Sequence, residues 1–233
     1  MLRPVAYPAS DRPEDIEAAR KKYFSMPEDD SNWTWNVAWW SDPVLLGKYP
    51  EEGLKKYEKY LPKITEKDMR LISEPIDVYG QNIYNGRAFR MGADGNPEEV
   101  GRVPGAGKTA VNWPVTPECL YWGPKFLYER YKKPIYITEN GMACHDVVSL
   151  DQRVHDPNRI DFLARYLHEL KRAAEEIDLR GYFQWSLMDN FEWEKGYAER
   201  FGIVYVDFET QERILKDSAY WYRDVIQTNG RDL

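Results

Sequence analysis

Apolar and polar positions along this chain fall into short blocks whose period changes from two to about 3.6 and back. Leu2 to Ala9 (LRPVAYPA) reads as a strand. Ser10-Asp11-Arg12-Pro13-Glu14-Asp15 then offers a cap, a first-turn proline and acidic residues, which predicts a helix through about Phe24. Asn32 to Trp40, Glu51 to Tyr60 and Glu66 to Ile72 read as further short helices. Pro75 restarts the chain into IDVYGQNIY, a second strand, and Gly86 to Val103, with ADGNP between polar flanks, resembles a surface hairpin. Thr116 is placed to cap a helix ending at Tyr131, after which PIYIT forms a third strand. A long polar loop leads to a strongly amphipathic helix, Pro157 to Ile177. The strand GYFQWS, an FGIVYV ribbon and a last helix from about Lys216 to Thr228 complete the pattern.

Four core strands, each feeding a loop and then a helix, predict parallel βα units and an α/β fold. No low-complexity linker, internal repeat or composition shift divides the chain, so residues 1–233 are expected to form a single domain. In such folds chemistry sits at the carboxyl ends of the strands. Asn82 and Tyr84, Glu139, and Trp185 onward all fall there.

Composition narrows the ligand. Apolar residues are an ordinary 42%, but aromatic residues reach 15%, with 9 Trp and 17 Tyr, which suit stacking on sugar rings as well as core packing. A net charge of −7 would repel phosphates and disfavours nucleic acid, leaving a neutral, hydroxyl-rich ligand as the better fit. Cys119 and Cys144 stand in no CxxC spacing and read as reduced thiols. His145, His155 and His168 are too scattered for a zinc or iron motif, so neither metal nor cofactor is expected. No window approaches the roughly 18 apolar residues of a membrane span, and MLRPVAYPASDRPED has too short an apolar part for a signal peptide. The cytoplasm is the expected location.

One short stretch carries the sharpest chemistry. In KKPIYITENGM an apolar, β-branched run ends on Glu139, followed by an Asn-Gly pair that reads as a turn. Alone, ENG reads more readily as a solvated glutamate capping the next helix. Together with WSLMDNFEWEKGYAERFGIVYVDFETQERILKDSAYWY, from Trp185 to Tyr222, it resembles family 1 of the glycoside hydrolases, the β-glucosidases. YPASDRPED, WWSDPVLLGKYPE and GQNIY extend the likeness over essentially the whole chain. The resemblance implies that Glu139 is the catalytic nucleophile and that Tyr84 hydrogen-bonds and orients it. Asn82 would support the floor of the same site. Trp185, Glu192 and Trp193 would bind the sugar, with Glu192 accepting from two adjacent hydroxyls. Glu192 would also repel a sugar phosphate, which favours unphosphorylated β-glucosides and β-galactosides. Asp189 and Glu194 read as loop-forming residues, with a rewired general acid as the minor alternative. Trp33, Trp35 and Trp122 read equally as core or cleft wall.

The resemblance also implies a gap. Retaining hydrolysis takes two carboxylates ~5–5.5 Å apart, one of them a general acid. The family carries that acid in an Asn-Glu-Pro motif, and this sequence has none; its one Glu-Pro pair, Glu74-Pro75, follows a serine and precedes a strand. The family's early glutamine and its histidine-tryptophan pair are absent too. The expectation is therefore the C-terminal half of a (β/α)8 TIM barrel, strands five to eight, weak or inactive alone. Its open strand edges would pair with an N-terminal half or with a second copy. A non-catalytic half-barrel with a sugar-binding or structural role is the alternative.

Overall fold

The computed structural model describes residues 4–28, 32 and 34–233. Strand β1 (Val5–Pro8) leads into α1 (Pro13–Phe24), whose N-cap is Arg12 with no side-chain cap. Ser10 donates instead to Asp15 Oδ2 at 2.6 Å, and Asp15 Oδ1 accepts from Met91 N at 2.9 Å. Ser10 thus holds a side chain of the first turn rather than a backbone N–H, and Asp15 in turn ties the helix to a distant strand. Helix α2 runs Ala38–Leu46, later than the Asn32 to Trp40 expected, of which Trp33 lies outside the described residues. Pro43 stands inside α2, where burial of Trp39 and Pro43 itself overrides the local penalty. Helix α3 (Glu51–Tyr57) continues as a 3-10 turn, Glu58–Tyr60, and α4 (Glu66–Ile72) begins on a full Thr65–Asp68 capping box.

The IDVYGQNIY run does not stay one strand. Strand β2 covers Tyr79–Asn82; the ladder breaks at residues 83–85 and resumes as β3 (Gly86–Met91), which forms the expected hairpin with β4 (Pro97–Val100). Strand β1 therefore pairs parallel with β3, from Val5↔Gly86 to Pro8↔Phe89, and not with β2. Three strands rather than four make one parallel sheet: β2, β5 (Ile135–Asn140) and β6 (Leu179–Gln184), in that order. Helix α5 (Cys119–Tyr131) precedes β5. Thr116 does not cap it; its Oγ1 accepts from Gly86 N at 2.8 Å and pins the hairpin. Helix α6 (Pro157–Ala174) lies between β5 and β6, and the ribbon β7 (Val204–Val206) with β8 (Arg213–Leu215) precedes α7 (Asp217–Gln227).

Strand β5 shows how the sheet is seated. Ile135 and Ile137 are fully buried against Leu120, Phe126, Leu127, Phe162 and Leu163 of α5 and α6, whereas Tyr136 and Thr138 face the other way and reach solvent. The helices therefore cover one face of the sheet and leave the opposite face open. Trp122 belongs to this core, and Trp35 stands 44% exposed.

Candidate active site

The parallel order of β2, β5 and β6 brings their carboxyl ends to one rim. Glu139 and Asn140 end β5, and both neighbours hold them: Ile83 N donates to Glu139 O (3.0 Å) and Trp185 N to Asn140 O (2.8 Å). The Asn140 side chain is fully buried and bridges all three strands, donating to Ile83 O (2.8 Å) and accepting from the Tyr182 hydroxyl (2.9 Å). The Asn-Gly pair is thus not the turn its composition suggests. Gly141 is needed for close approach: a Cβ there would lie 1.9 Å from the Trp185 carbonyl oxygen.

On this rigid base the Tyr84 hydroxyl donates to Glu139 Oε2 at 2.7 Å. Burial, the bond to Glu139 and that carboxylate's charge all push the Tyr84 phenol well above its ordinary range, so it remains a donor. Its ring is 8% exposed and sits against Trp113 (centroids 5.1 Å) and Phe201 (6.3 Å). Trp113 and Phe201 also pack on each other, at 6.0 Å, which fixes the ring that carries the hydroxyl. Glu192 joins the same cluster. Desolvation raises its carboxyl pKa first, a hydrogen bond from Trp185 works against that rise, and the charges of Glu139 and Glu199 add to it. Asn82 is opposite Glu139 in the ladder and exposed, its Oδ1 accepting from Thr138 Oγ1 at 2.7 Å. Trp193 is not gathered in: it is 82% exposed, on the loop beyond β6.

A buried charge cluster lies beneath these loops. Asp189 accepts from Arg200 Nη1 (2.6 Å), Lys216 Nζ (2.8 Å) and Gly202 N (3.0 Å), so it is a structural carboxylate and not a free acid. Glu194 is exposed beside Lys195, 3.2 Å away. Neither suits the rewired-acid alternative. Arg159, fully buried on α6, donates to Asp146 Oδ2 (2.7 Å), to Arg200 O (2.9 Å) and to Asp156.

Of the residues singled out in the sequence, Glu139, Tyr84, Trp185 and Glu192 come together here; Asn140, Trp113, Phe201, Tyr182 and the partners of Asp189 in the charge cluster have no counterpart in that reading. The signal for Arg159 was a lone guanidinium on the apolar stripe of α6; Lys216 and Asp146, 70 residues apart, had no local signal. Cys119 and Cys144 are unbridged. Among the described residues no three His, Cys, Asp or Glu side chains form a metal-holding group, and no helix is long and apolar enough to cross a membrane.

Residues 1–231 match the family described as Glycosyl hydrolase family 1. "Beta-glucosidase A" of Thermotoga maritima is 45% identical over 226 residues, covering 96% of this chain and 48% of that protein. "1,4-beta-D-glucan glucohydrolase" of Thermotoga neapolitana is 44% identical, with 96% and 49% covered. Among solved structures, the Thermotoga maritima β-glucosidase in complex with glucoimidazole aligns with a TM-score of 0.79 at 44% identity, covering 99% of this chain and 50% of that one. The chain spans about half the length of these relatives.

Proposed function

The chain belongs to glycosyl hydrolase family 1, and from that premise we propose that it carries the nucleophile side of a retaining β-glucosidase site built on the second half of a TIM barrel. One observation carries the reading: a carboxylate at the end of a buried parallel strand, held at 2.7 Å by a phenol that stays protonated. In this reading Glu139 attacks the anomeric carbon of a β-glucoside and the bond to the aglycone oxygen breaks, leaving a glycosyl ester on Glu139. Water then attacks the same carbon and releases Glu139. Tyr84 holds the attacking oxygen in line. Asn82, Trp185, Glu192 and Trp193 contact the sugar hydroxyls and ring face, and Glu192 turns away phosphorylated sugars by charge. The glucoimidazole complex of the Thermotoga maritima relative fits a glucose-shaped subsite in this fold.

Two proton transfers in this cycle need a general acid/base. The sequence has no Asn-Glu-Pro motif to supply it, and the nearby Asp189 is ion-paired on both oxygens. The acid therefore comes from a complementary barrel half, and the chain alone is a weak catalyst, short by the ~10²–10⁴-fold such groups contribute. The two unbridged cysteines fit a reducing, cytoplasmic setting. One observation favours the non-catalytic half-barrel reading instead: neither Asp189, ion-paired on both oxygens, nor the exposed Glu194 beside Lys195 is placed as an acid partner for Glu139.

Leaving-group dependence separates the two. The nucleophile reading predicts slow release of dinitrophenol from 2,4-dinitrophenyl β-glucoside, whose leaving group needs no proton, with an alkyl β-glucoside left intact. Glu139→Gln should abolish the release. Release that persists in Glu139→Gln would refute the reading, and binding without any release would leave the sugar-binding alternative.

A further inference from the structure

The loop that carries Glu192 is closed at its neck. Ser186 N donates to Phe201 O (3.1 Å), Ile203 N to Ser186 O (3.0 Å), Val204 N to Leu187 O (2.9 Å) and Asp189 N to Val204 O (2.9 Å). Inside that neck Asp189 faces Gly202, where a Cβ would lie 2.2 Å from Asp189 N, so the two walls meet without room for a side chain. Lys216, the N-cap of α7, enters from below. Its backbone N donates to Ile203 O (3.0 Å), and its Nζ donates to Asp189 Oδ1 (2.8 Å) and to Asp146 Oδ2 (2.6 Å). The three side chains are at most 2% exposed.

Asp146 lies seven residues beyond Glu139, on the loop leaving β5; Asp189 lies three before Glu192, on the loop leaving β6. One ammonium thus joins the loop that follows Glu139 to the loop that carries Glu192. We propose that Lys216 is a positioning residue: by bridging Asp146 and Asp189 it fixes the Glu192 loop relative to Glu139. It touches no reacting atom. Three cations, Arg159, Arg200 and Lys216, balance the carboxylates of Asp146, Asp156 and Asp189, and burying so many charges is a poor route to stability alone. Their arrangement across two loops suits alignment. The inference rests on the glycosidase reading for what is aligned, but the bridge itself has an independent readout.

The test compares the wild-type chain with Lys216→Met and with Leu163→Ala, a core truncation that lowers stability without touching the bridge. Below the melting range of all three, two quantities are measured: amide exchange over residues 186–204, and labelling of Glu139 by 2,4-dinitrophenyl 2-deoxy-2-fluoro-β-glucoside as a function of its concentration. The expected result for Lys216→Met is lost protection across 186–204 with α5 unchanged, and a half-saturating concentration raised about tenfold or more. Leu163→Ala should leave that concentration alone. A folded Lys216→Met with wild-type exchange and labelling would overturn the proposal, as would an equal rise in Leu163→Ala. If the wild type is not labelled, the nucleophile reading fails, and exchange alone decides the bridge. If Lys216→Met does not fold, Asp146→Asn, which keeps the shape and removes one charge, is measured in the same way, with the same direction expected.

Discussion

At Glu139 the backbone supplies the rigidity, and the proposed role of the Tyr84 hydroxyl, which donates to Oε2 at 2.7 Å, is to aim the carboxylate. Removing the Tyr84 hydroxyl leaves the ring packed on Trp113 and Phe201, so Tyr84→Phe should fold normally. A hydrogen bond to a charged group contributes ~1.5–3 kcal/mol, so the rate at which a fluoroglucoside labels Glu139 should fall roughly ten- to a hundredfold, measured by intact mass against time; an unchanged rate would mean that Tyr84 does not orient Glu139. Gly141 is the opposite case, where a single methyl would strike the Trp185 carbonyl at 1.9 Å. Gly141→Ala should cost about 3 kcal/mol or more in urea unfolding, and a loss below 1 kcal/mol would show that the rim relaxes. The contact between Tyr84 and Glu139, 55 residues apart in sequence, follows from the family resemblance and not from any local pattern. Asn140 looks like half of a turn in the sequence because its partners, Ile83 just past β2 and Tyr182 on β6, are more than 40 residues away.

Elements defined by local chemistry were read well, and those defined by pairing were not. The Thr65 capping box of α4 needs only four neighbouring residues: Thr65 N to Asp68 Oδ2 is 2.8 Å and Asp68 N to Thr65 Oγ1 is 3.2 Å. Hairpin β3–β4 likewise follows from its turn residues. The partner of β1 did not, because nothing in IDVYGQNIY marks the break at residues 83–85 that hands β1 to β3. Thr116 stands where a cap is expected, yet its hydroxyl accepts from the distant Gly86 N, a partner only tertiary geometry supplies. The start of α7 offers a prediction of its own. His155 Nδ1 lies 2.6 Å from Asp217 Oδ2 and Nε2 lies 2.9 Å from Asp151 Oδ2, and these two carboxylates raise its pKa. A raised folded value stabilises the fold below the unfolded pKa of ~6.5 and loses that contribution as pH rises through the raised value. Melting temperature should therefore fall over that window in the wild type and fall less in His155→Gln. Superimposable pH profiles would show that His155 does not contribute to stability in this window.

For the whole molecule, the open side of the sheet matters most. Among the described residues β6 pairs with β5 alone and β1 with β3 alone, so each presents a free edge. Phe183 is 58% exposed on β6 and Leu187 is 65% exposed just beyond it, a surface suited to a complementary barrel half. The chain should associate with rising concentration, seen by sedimentation velocity, and Phe183→Lys should weaken that association; a monomer at every concentration would argue against open, adhesive edges. The family is legible in ITENG and the Trp185 to Tyr222 block and the α/β class in the alternation of strands and helices, whereas which strands lie side by side depends on pairings between segments far apart in the sequence.

Covalent trapping decides whether Glu139 is a working nucleophile. Incubated with 2,4-dinitrophenyl 2-deoxy-2-fluoro-β-glucoside, the folded chain should gain the mass of one fluoroglucosyl unit, confined to the peptide that contains Glu139, and Glu139→Gln should gain none. A folded chain that takes up no adduct at saturating reagent, or takes it up on another residue, would show that Glu139 is not the nucleophile.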